Sequence, residues 1–362
     1  MTDQQHAPLA PARHAHILAA LERDGIVRVS RLTEELGVAP VTLRRDLQQL
    51  EEEGRLERVH GGAVPAQVPD AAAPAPARTG GAIGVLVPSL AYYWPGVVRG
   101  MEAEARTRGL RLVLRGASYE LQDERPVLER LLAADDIRGL IVAPNPDVTH
   151  AQDVVQWLDA SGIPSVFVER DAVVLPDRAP VENVTTDHAL GAVLAARHLA
   201  SLGHRRIGLI LSRESPTGRK ILTGWASACE ELGLAPADHF ESLFPDRNGP
   251  GFATAVNAAI DKALDAGVTG LLIHSDPEAM AFIDIALNRG LSVPDDLSVV
   301  AYDDEVAQLF TPALSAVSPP RAAVGAAAID LLAKRIADPS RPVHRVSLSP
   351  TMHARQSSAP PA

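Results

Sequence analysis

The chain has one cysteine, Cys229, so no intrachain disulfide can form, and a reducing, cytoplasmic setting is the default expectation. Aromatic side chains are few: three Trp, four Tyr and six Phe in 362 residues. Any aromatic pair beside a cleft is therefore informative. No apolar run reaches the ~18–20 residues of a membrane helix, and residues 1–16 are too polar for a signal peptide, so no membrane partner is expected. The common catalytic signatures are absent as well. There is no G-x-S-x-G elbow, no G-x-x-x-x-G-K-[ST] loop, no H-E-x-x-H and no Cys/His cluster at metal-ligand spacing. His204 and His274 are isolated and read as helix-end or core histidines, and Cys229 reads as a small buried side chain. No catalytic residue, metal or cofactor is expected, and the chain reads as a non-enzyme. Excess basic charge is missing too, since the formal net charge is −11, which argues against indiscriminate nucleic-acid binding. What is present is apolar residue, at 46% with a mean hydropathy of +0.03. That is ample core for two or three globular domains.

The most specific stretch is 41–62, VTLRRDLQQLEEEGRLERVHGG. Leu43, Leu47 and Leu50 fall at i, i+4 and i+7, one apolar stripe at helical period. Thr42, Arg44, Arg45 and Gln48 lie off that stripe and should face outward. Gly54 ends the helix. Residues 55–59 alternate like a strand, and Gly61-Gly62 marks a hairpin turn. Upstream, residues 14–23 form a helix with Ile17, Leu18 and Leu21 inward, ended by Gly25. Ser30 caps a second helix over 31–36. Gly37-Val38 makes a tight turn, and Pro40 sits in the first turn of the third helix, where proline is tolerated. Helix, helix, tight turn, helix and β-ribbon is a helix-turn-helix with a wing. An α-helix fits the DNA major groove, Arg can bond guanine bidentately and Gln can bond adenine. The candidate DNA contacts are Ser30, Thr42, Arg44, Arg45, Gln48, Arg58 and His60. Residues 1–63 hold eight Arg, no Lys and ten Asp or Glu, a net −2. The expectation is a modest phosphate footprint, dimer-dependent affinity and steep salt sensitivity.

Val38, Thr42, Arg44-Arg45-Asp46-Leu47, Leu50-Glu51, Gly54, Leu56, Arg58 and His60-Gly61-Gly62 together resemble the N-terminal winged helix of DeoR-type repressors. One departure is Ala39-Pro40, where that family carries Ser.

Residues 64–81 are rich in Pro and Ala without apolar periodicity and read as a semi-stiff linker. Beyond them, apolar runs at 83–87, 110–114, 140–143, 165–168, 207–211, 271–273 and 298–301 alternate with helix-like segments. This rhythm predicts an α/β fold of doubly wound parallel sheets. Breaks near 184–187 and 314–320 suggest two lobes joined by crossovers. Ligands of such sheets bind outside the carboxyl ends of the strands. The residues there include Tyr93, Trp94, Ser118, Glu169, Arg170, Arg219, Ser275, Asp276, Asp303 and Asp304. Carboxylates accept from hydroxyls, Arg donates in a planar fork, and a ring packs on the C–H face of a sugar. Each feature also has a plainer reading. Glu169-Arg170 could be a structural ion pair, Asp303-Asp304 a solvated turn and Tyr93-Trp94 a hydrophobic anchor.

The segments GVLVPSLAYYWPGVVRGMEAEA, GIPSVFVERD, AARHLASLGHRRIGLI and RGLSVPDDLSVVAYDDEVAQLFTPALSAVSPP resemble the effector-binding domain of the LacI family, which is similar to periplasmic sugar-binding proteins. The resemblance implies effector-binding positions at Tyr93, Trp94, Glu169, Arg170, Ser275 and Asp303. Glu169 stands where that family has Asp. Ile221 stands where it commonly has Arg, with Arg219 two residues earlier, and Ser275 replaces the usual Asn.

The expected architecture is thus composite. Residues 1–63 form the winged helix-turn-helix and 64–81 the linker. Residues 82–362 form a two-lobed, periplasmic-binding-protein-like sensor, with a first lobe of about 82–184 and 316–340 and a second of about 185–315 and 341–355. The expected function is a cytoplasmic transcriptional regulator, a homodimer or higher homo-oligomer. It would bind a double-stranded DNA operator under control of a small-molecule effector, most simply a sugar. A sugar-binding transport protein, a sugar-acting enzyme and a sensor of nucleosides or sugar phosphates are the alternatives.

Overall fold

The computed structural model describes residues 10–24, 27–38, 40–52, 55–59, 62–65, 81–116, 123–133, 136–144, 151–213, 215–234 and 240–361. Contacts divide the chain into two compact units, Met1–Ala77 and Arg78–Ala362.

In the first unit, α1 (Ala10–Asp24), β1 (Val27–Arg28), α2 (Val29–Leu36) and α3 (Pro40–Glu52) precede the hairpin β2 (Leu56–Val59) and β3 (Gly62–Pro65). The leucine stripe behaves as its period dictates. Leu43, Leu47 and Leu50 are buried together with Ile17, Leu21, Leu32 and Leu56 in one small core. The chain leaves α3 through the Arg55 N–H, which donates to the Leu50 carbonyl at 2.9 Å. β3 pairs antiparallel with both β2 and β1, so the wing is three-stranded, in the order β1-β3-β2. Two expectations change. Ser30 lies inside the first turn of α2 rather than capping it, because the helix follows directly on the pairing of Val27 and Arg28 with β3 and starts two residues early. β3 runs to Pro65, two residues into the stretch read as linker. Gly25 and Gly54, read as helix stops, and Gly61 of the turn lie outside the described residues.

The second unit alternates strands and helices. Its first half comprises β4 (Ala82–Val87), α4 (Trp94–Thr107), β5 (Arg111–Gly116), α5 (Arg125–Leu132), β6 (Ile137–Val142), α6 (Ala151–Ser161), β7 (Ser165–Val168), the short pair β8 (Val173–Val174) and β9 (Ala179–Pro180), and β10 (Asn183–Thr186). The second half runs α7 (His188–Ser201), β11 (Ile207–Ser212), α8 (Gly218–Glu231), β12 (Phe240–Phe244), α9 (Phe252–Asp265), β13 (Gly270–Ile273), α10 (Asp276–Asn288), β14 (Ser298–Tyr302) and β15 (Ser315–Ser318). It closes with α11 (Arg321–Ala337), β16 (Arg345–Leu348) and β17 (Thr351–His353).

These build two six-stranded sheets, one per lobe, ordered β16-β10-β7-β6-β4-β5 and β12-β11-β13-β14-β15-β17. All pairings are parallel except β15 with β17. Central strands such as β4, β13 and β14 are buried at every position, as strands covered on both faces must be. The chain crosses between lobes after β10, after β15 and again after β16. The last crossing corrects the expected lobes. Residues 341–355 do not all return to the second lobe, because β16 pairs in register with β10, Val346 opposite Val184. Only β17 joins the second sheet. The helix α11, absent from the helix-like segments read in the sequence, packs on α4 and beneath β6, β7 and β10 of the first lobe.

Candidate functional site

On α3, the face opposite the leucine stripe carries Val41, Arg45 and Gln49, all exposed and spaced four residues apart. Val41 is 71% exposed. Thr42 is half-buried on the flank of this face. Arg44 and Gln48 lie on α3, Ser30 on α2 and Arg58 on β2. His60 lies outside the described residues. Asp46, inside the same Arg-Arg-Asp-Leu motif, does something else. It is 5% exposed and receives both arms of Arg13 from α1, Nε at 2.7 Å and Nη2 at 2.9 Å. His14 Nε2 adds a third contact at 3.3 Å. Burial works to raise the Asp46 carboxyl, but the Arg13 and His14 hydrogen bonds outweigh it and hold it below the usual carboxylate range.

The second candidate site lies between the lobes. Glu169 directly follows β7 with a left-handed backbone, φ +56°, and is 4% exposed. Its Oε1 accepts from Tyr93 Oη and Thr186 Oγ1, each at 2.7 Å. Its Oε2 accepts from the Thr186 N–H at 3.1 Å and faces His188 Nε2 at 3.1 Å. All the acceptor capacity of a carboxylate is therefore used within the protein. Burial opposes ionisation, yet the His188, Tyr93 and Thr186 bonds pull this carboxyl down to about 2. His188, at the start of α7 in the second lobe, passes the contact on through Nδ1 to Tyr302 Oη at 3.0 Å. A buried polar chain thus crosses the hinge.

Arg170, next in sequence, is turned away from Glu169's carboxylate. Its Nε donates to the Pro144 carbonyl at 2.7 Å and its Nη1 to the Glu169 carbonyl at 2.9 Å. Its guanidinium lies 5.7 Å from the centre of the Trp94 ring. Trp94 itself is 2% exposed in the first-lobe core. Arg219 is exposed on α8, and Ile221 is fully buried in the second-lobe core. Ser275 caps α10, its N–H and Oγ both reaching Glu278 Oε2, at 3.1 and 2.6 Å. Ser118 lies outside the described residues.

Asp303 directly follows β14 with φ +96° and is followed by Asp304 at φ +53°. Its carboxyl is pushed up to about 6, chiefly by burial, against the pull of His188, Arg321 and the Tyr92 hydroxyl. Asp276 holds the same turn from beneath, accepting from the N–H groups of Asp304, Glu305 and Val306 at 3.1, 2.7 and 3.0 Å. Burial and the Asp303 charge push Asp276 up to about 7. From the first lobe, Arg321 donates to the Asp303 carbonyl and, at 3.3 Å, to that of Asp304. It also pairs with Glu305 at 2.9 Å, and its head lies 5.8 Å from the centre of the Tyr93 ring. Tyr92 Oη accepts from the Asp276 N–H at 3.3 Å. Farther along the hinge, Lys220 of α8 pairs with Asp171 of the first lobe at 2.6 Å. This pair borders a cavity of about 450 Å³ lined by Asn183, Thr186, His188 and Arg345 among others.

The structure therefore brings Tyr93, Glu169 and Asp303 to one interlobe region, places Trp94 and Arg170 behind it, and leaves Arg219 outward. Sequence reading missed Tyr92, Thr186, His188 and Arg321. The triplet Ala-Tyr-Tyr and the Asp-His that opens α7 were available signals. Nothing local marked Arg321, which meets its partners from across a crossover.

The DeoR-like helix-turn-helix family matches residues 13–67. The periplasmic binding protein-like domain family matches residues 196–358. The chain is a transcriptional regulator with a DeoR-like helix-turn-helix head and a periplasmic-binding-protein-like domain. It is similar to the arabinose metabolism transcriptional repressor of Geobacillus stearothermophilus, 25% identical over 297 residues, 82% of this chain and 80% of that one. It is 40% identical over 168 residues, 44% of this chain and 45% of that one, to an uncharacterized HTH-type transcriptional regulator from the aml 5' region of Streptomyces limosus. Among solved structures, a LacI family transcriptional regulator from Enterococcus faecium with bound ribose superposes with a TM-score of 0.63 at 24% identity. That match covers 77% of this chain and 99% of the other, and it establishes the shared fold. The regulator's described helices include none long and apolar enough to cross a membrane. Its described residues hold no group of three His, Cys, Asp or Glu side chains fit to bind a metal.

Proposed function

We propose that the regulator is a repressor whose operator affinity is set by a sugar bound between the two lobes of residues 82–362. The observation that supports this reading best is the meeting of both lobes on one polar, aromatic-walled region. Tyr92, Tyr93, Glu169 and Arg321 come from one side, and His188, Asp276 and Asp303 from the other. A ligand inserted there touches both lobes and biases their relative orientation, which is what a sensor requires. Within this set Asp303 is the carboxylate that takes ligand hydroxyls, and Glu169 positions Tyr93, Thr186 and His188. On the head, Arg45 and its neighbours on the exposed face of α3 read the major groove. Arg45 takes a guanine, Gln49 suits an adenine and Val41 suits a thymine methyl. The heads act as a pair on a repeated operator, in a homodimer, and the regulator turns over no substrate.

The test is a thermal-shift screen of the full chain against free monosaccharides, disaccharides, sugar phosphates and nucleosides. A ligand at a hundredfold excess over its Kd adds about 2.7 kcal/mol of apparent stability. A free sugar that shifts the midpoint and is recovered unchanged supports the reading. A response confined to phosphates or nucleosides replaces the effector class, and hydrolysis of a bound sugar contradicts the non-enzymatic role.

A further inference from the structure

The polar chain that crosses the hinge ends beside an imidazole with one idle nitrogen. His274 follows the last residue of β13 and is 8% exposed. Its ring packs against Tyr302, centroids 5.5 Å apart, and its Nε2 faces Thr217 Oγ1 at 3.4 Å. Its Nδ1 is buried and has no hydrogen-bond partner among the described residues. Buried polar atoms are almost always bonded, so each exception asks for an explanation. Here the location supplies one. Ser275 and Asp276 follow directly, and the Asp276 N–H meets Tyr92 from the opposite lobe. His274 therefore stands in the second-lobe wall of the cleft, at the carboxyl end of a strand, where sheets of this kind place their ligands.

We propose that His274 contacts the effector directly, its Nδ1 hydrogen bonding to a hydroxyl group of a polyhydroxylated ligand. This rests on the sensor reading above. The groups facing the ring are Thr217 ahead of α8, His188 on α7, Glu278 on α10 and Tyr302 on β14. Burial dominates their sum and lowers the imidazole to about 4, with Glu278 opposing and His188 reinforcing. The ring is neutral at pH 7, with one donor and one acceptor. A hydroxyl satisfies either tautomer because it both donates and accepts. A buried neutral ring supplies no charge to offset that of an ionic ligand, so the position suits an uncharged sugar and makes His274 a determinant of which hydroxyl is read.

The experiment is calorimetric titration of the full chain with D-ribose, L-arabinose, D-glucose, cellobiose and maltose, repeated on three variants. In His274→Gln the terminal amide reaches the Nε2 position and abandons Nδ1. In His274→Asn it stays near Nδ1. His274→Phe keeps the ring and removes both nitrogens. The proposal predicts that Gln and Phe weaken the bound sugar by about tenfold or more. Asn stays close to the parent. A core role alone would make Asn, with the smaller volume, the worst of the three. Equal Kd in parent, Gln and Phe overturns the proposal and leaves the sensor reading standing. Failure of every sugar to bind the parent chain removes both.

Discussion

Arg45 and Asp46 are neighbours on α3 with opposite duties. Arg45 is exposed, whereas Asp46 is buried against Arg13 and His14. Arg45→Ala should cost about 1–3 kcal/mol of operator affinity, the worth of a bidentate base contact, with the melting temperature unchanged. Filter binding beside calorimetry separates the two effects. Asp46→Asn should instead destabilise the head by about 1–3 kcal/mol, since the Arg13 fork loses its charge partner. The folded carboxyl of Asp46 is held below its ordinary value. That contribution is full above about pH 4 and is lost as pH falls through the lower folded value. Chemical denaturation of the head signal at pH 3 and pH 6 checks the sign. Glu169→Gln removes the charge that holds Tyr93 and His188. It should abolish the response to sugar while ligand-free operator binding persists; a normal response contradicts the place given to Glu169. At this scale the sequence marked Glu169 and Asp303 because both directly follow strands. It could not mark their partners: Thr186, His188 and Arg321 lie 17 to 19 residues away in the chain, beyond any local period.

At the scale of elements, the first lobe depends on α4 and α11 crossing closely. A Cβ on Gly100 would strike the Ala322 carbonyl, and one on Gly325 the Val97 carbonyl. Backbone cannot yield as a flexible side chain does, so Gly325→Ala should cost about 1–3 kcal/mol by overpacking. The unfolding midpoint of the sensor domain measures it, and an unchanged midpoint would show that the helices can separate freely. The α7–α8 crossing is built the same way, with Gly224 against the Ala189 carbonyl. The winged helix was readable in advance because its leucine stripe and turns are local. The alternation of buried strands was readable for the same reason. The return of β16 to the first sheet was not. Its pattern of partly exposed residues is that of an edge strand, and its partner β10 lies about 160 residues upstream.

At the scale of the molecule, the interlobe region is an acidic junction. Asp276 and Asp303 sit at about 7 and about 6, both raised primarily by burial. A carboxyl raised on folding binds more protons in the native state. Stability of the sensor domain should therefore fall as pH rises from about 4 through about 7, and level off above. Glu169, pulled down to about 2, contributes in full only above about pH 5. Asp303→Asn should flatten the profile, and urea midpoints at pH 5 and pH 8 report it.

The most direct test joins the two units. The affinity of the full chain for an operator duplex, selected from random DNA, is measured with and without a saturating sugar. The sugar affinity is then measured with and without the duplex. Linkage requires the two ratios to be equal, and the account predicts a factor of about 5 to 150. Sugar binding that leaves operator affinity unchanged would show that the interlobe site does not control the head.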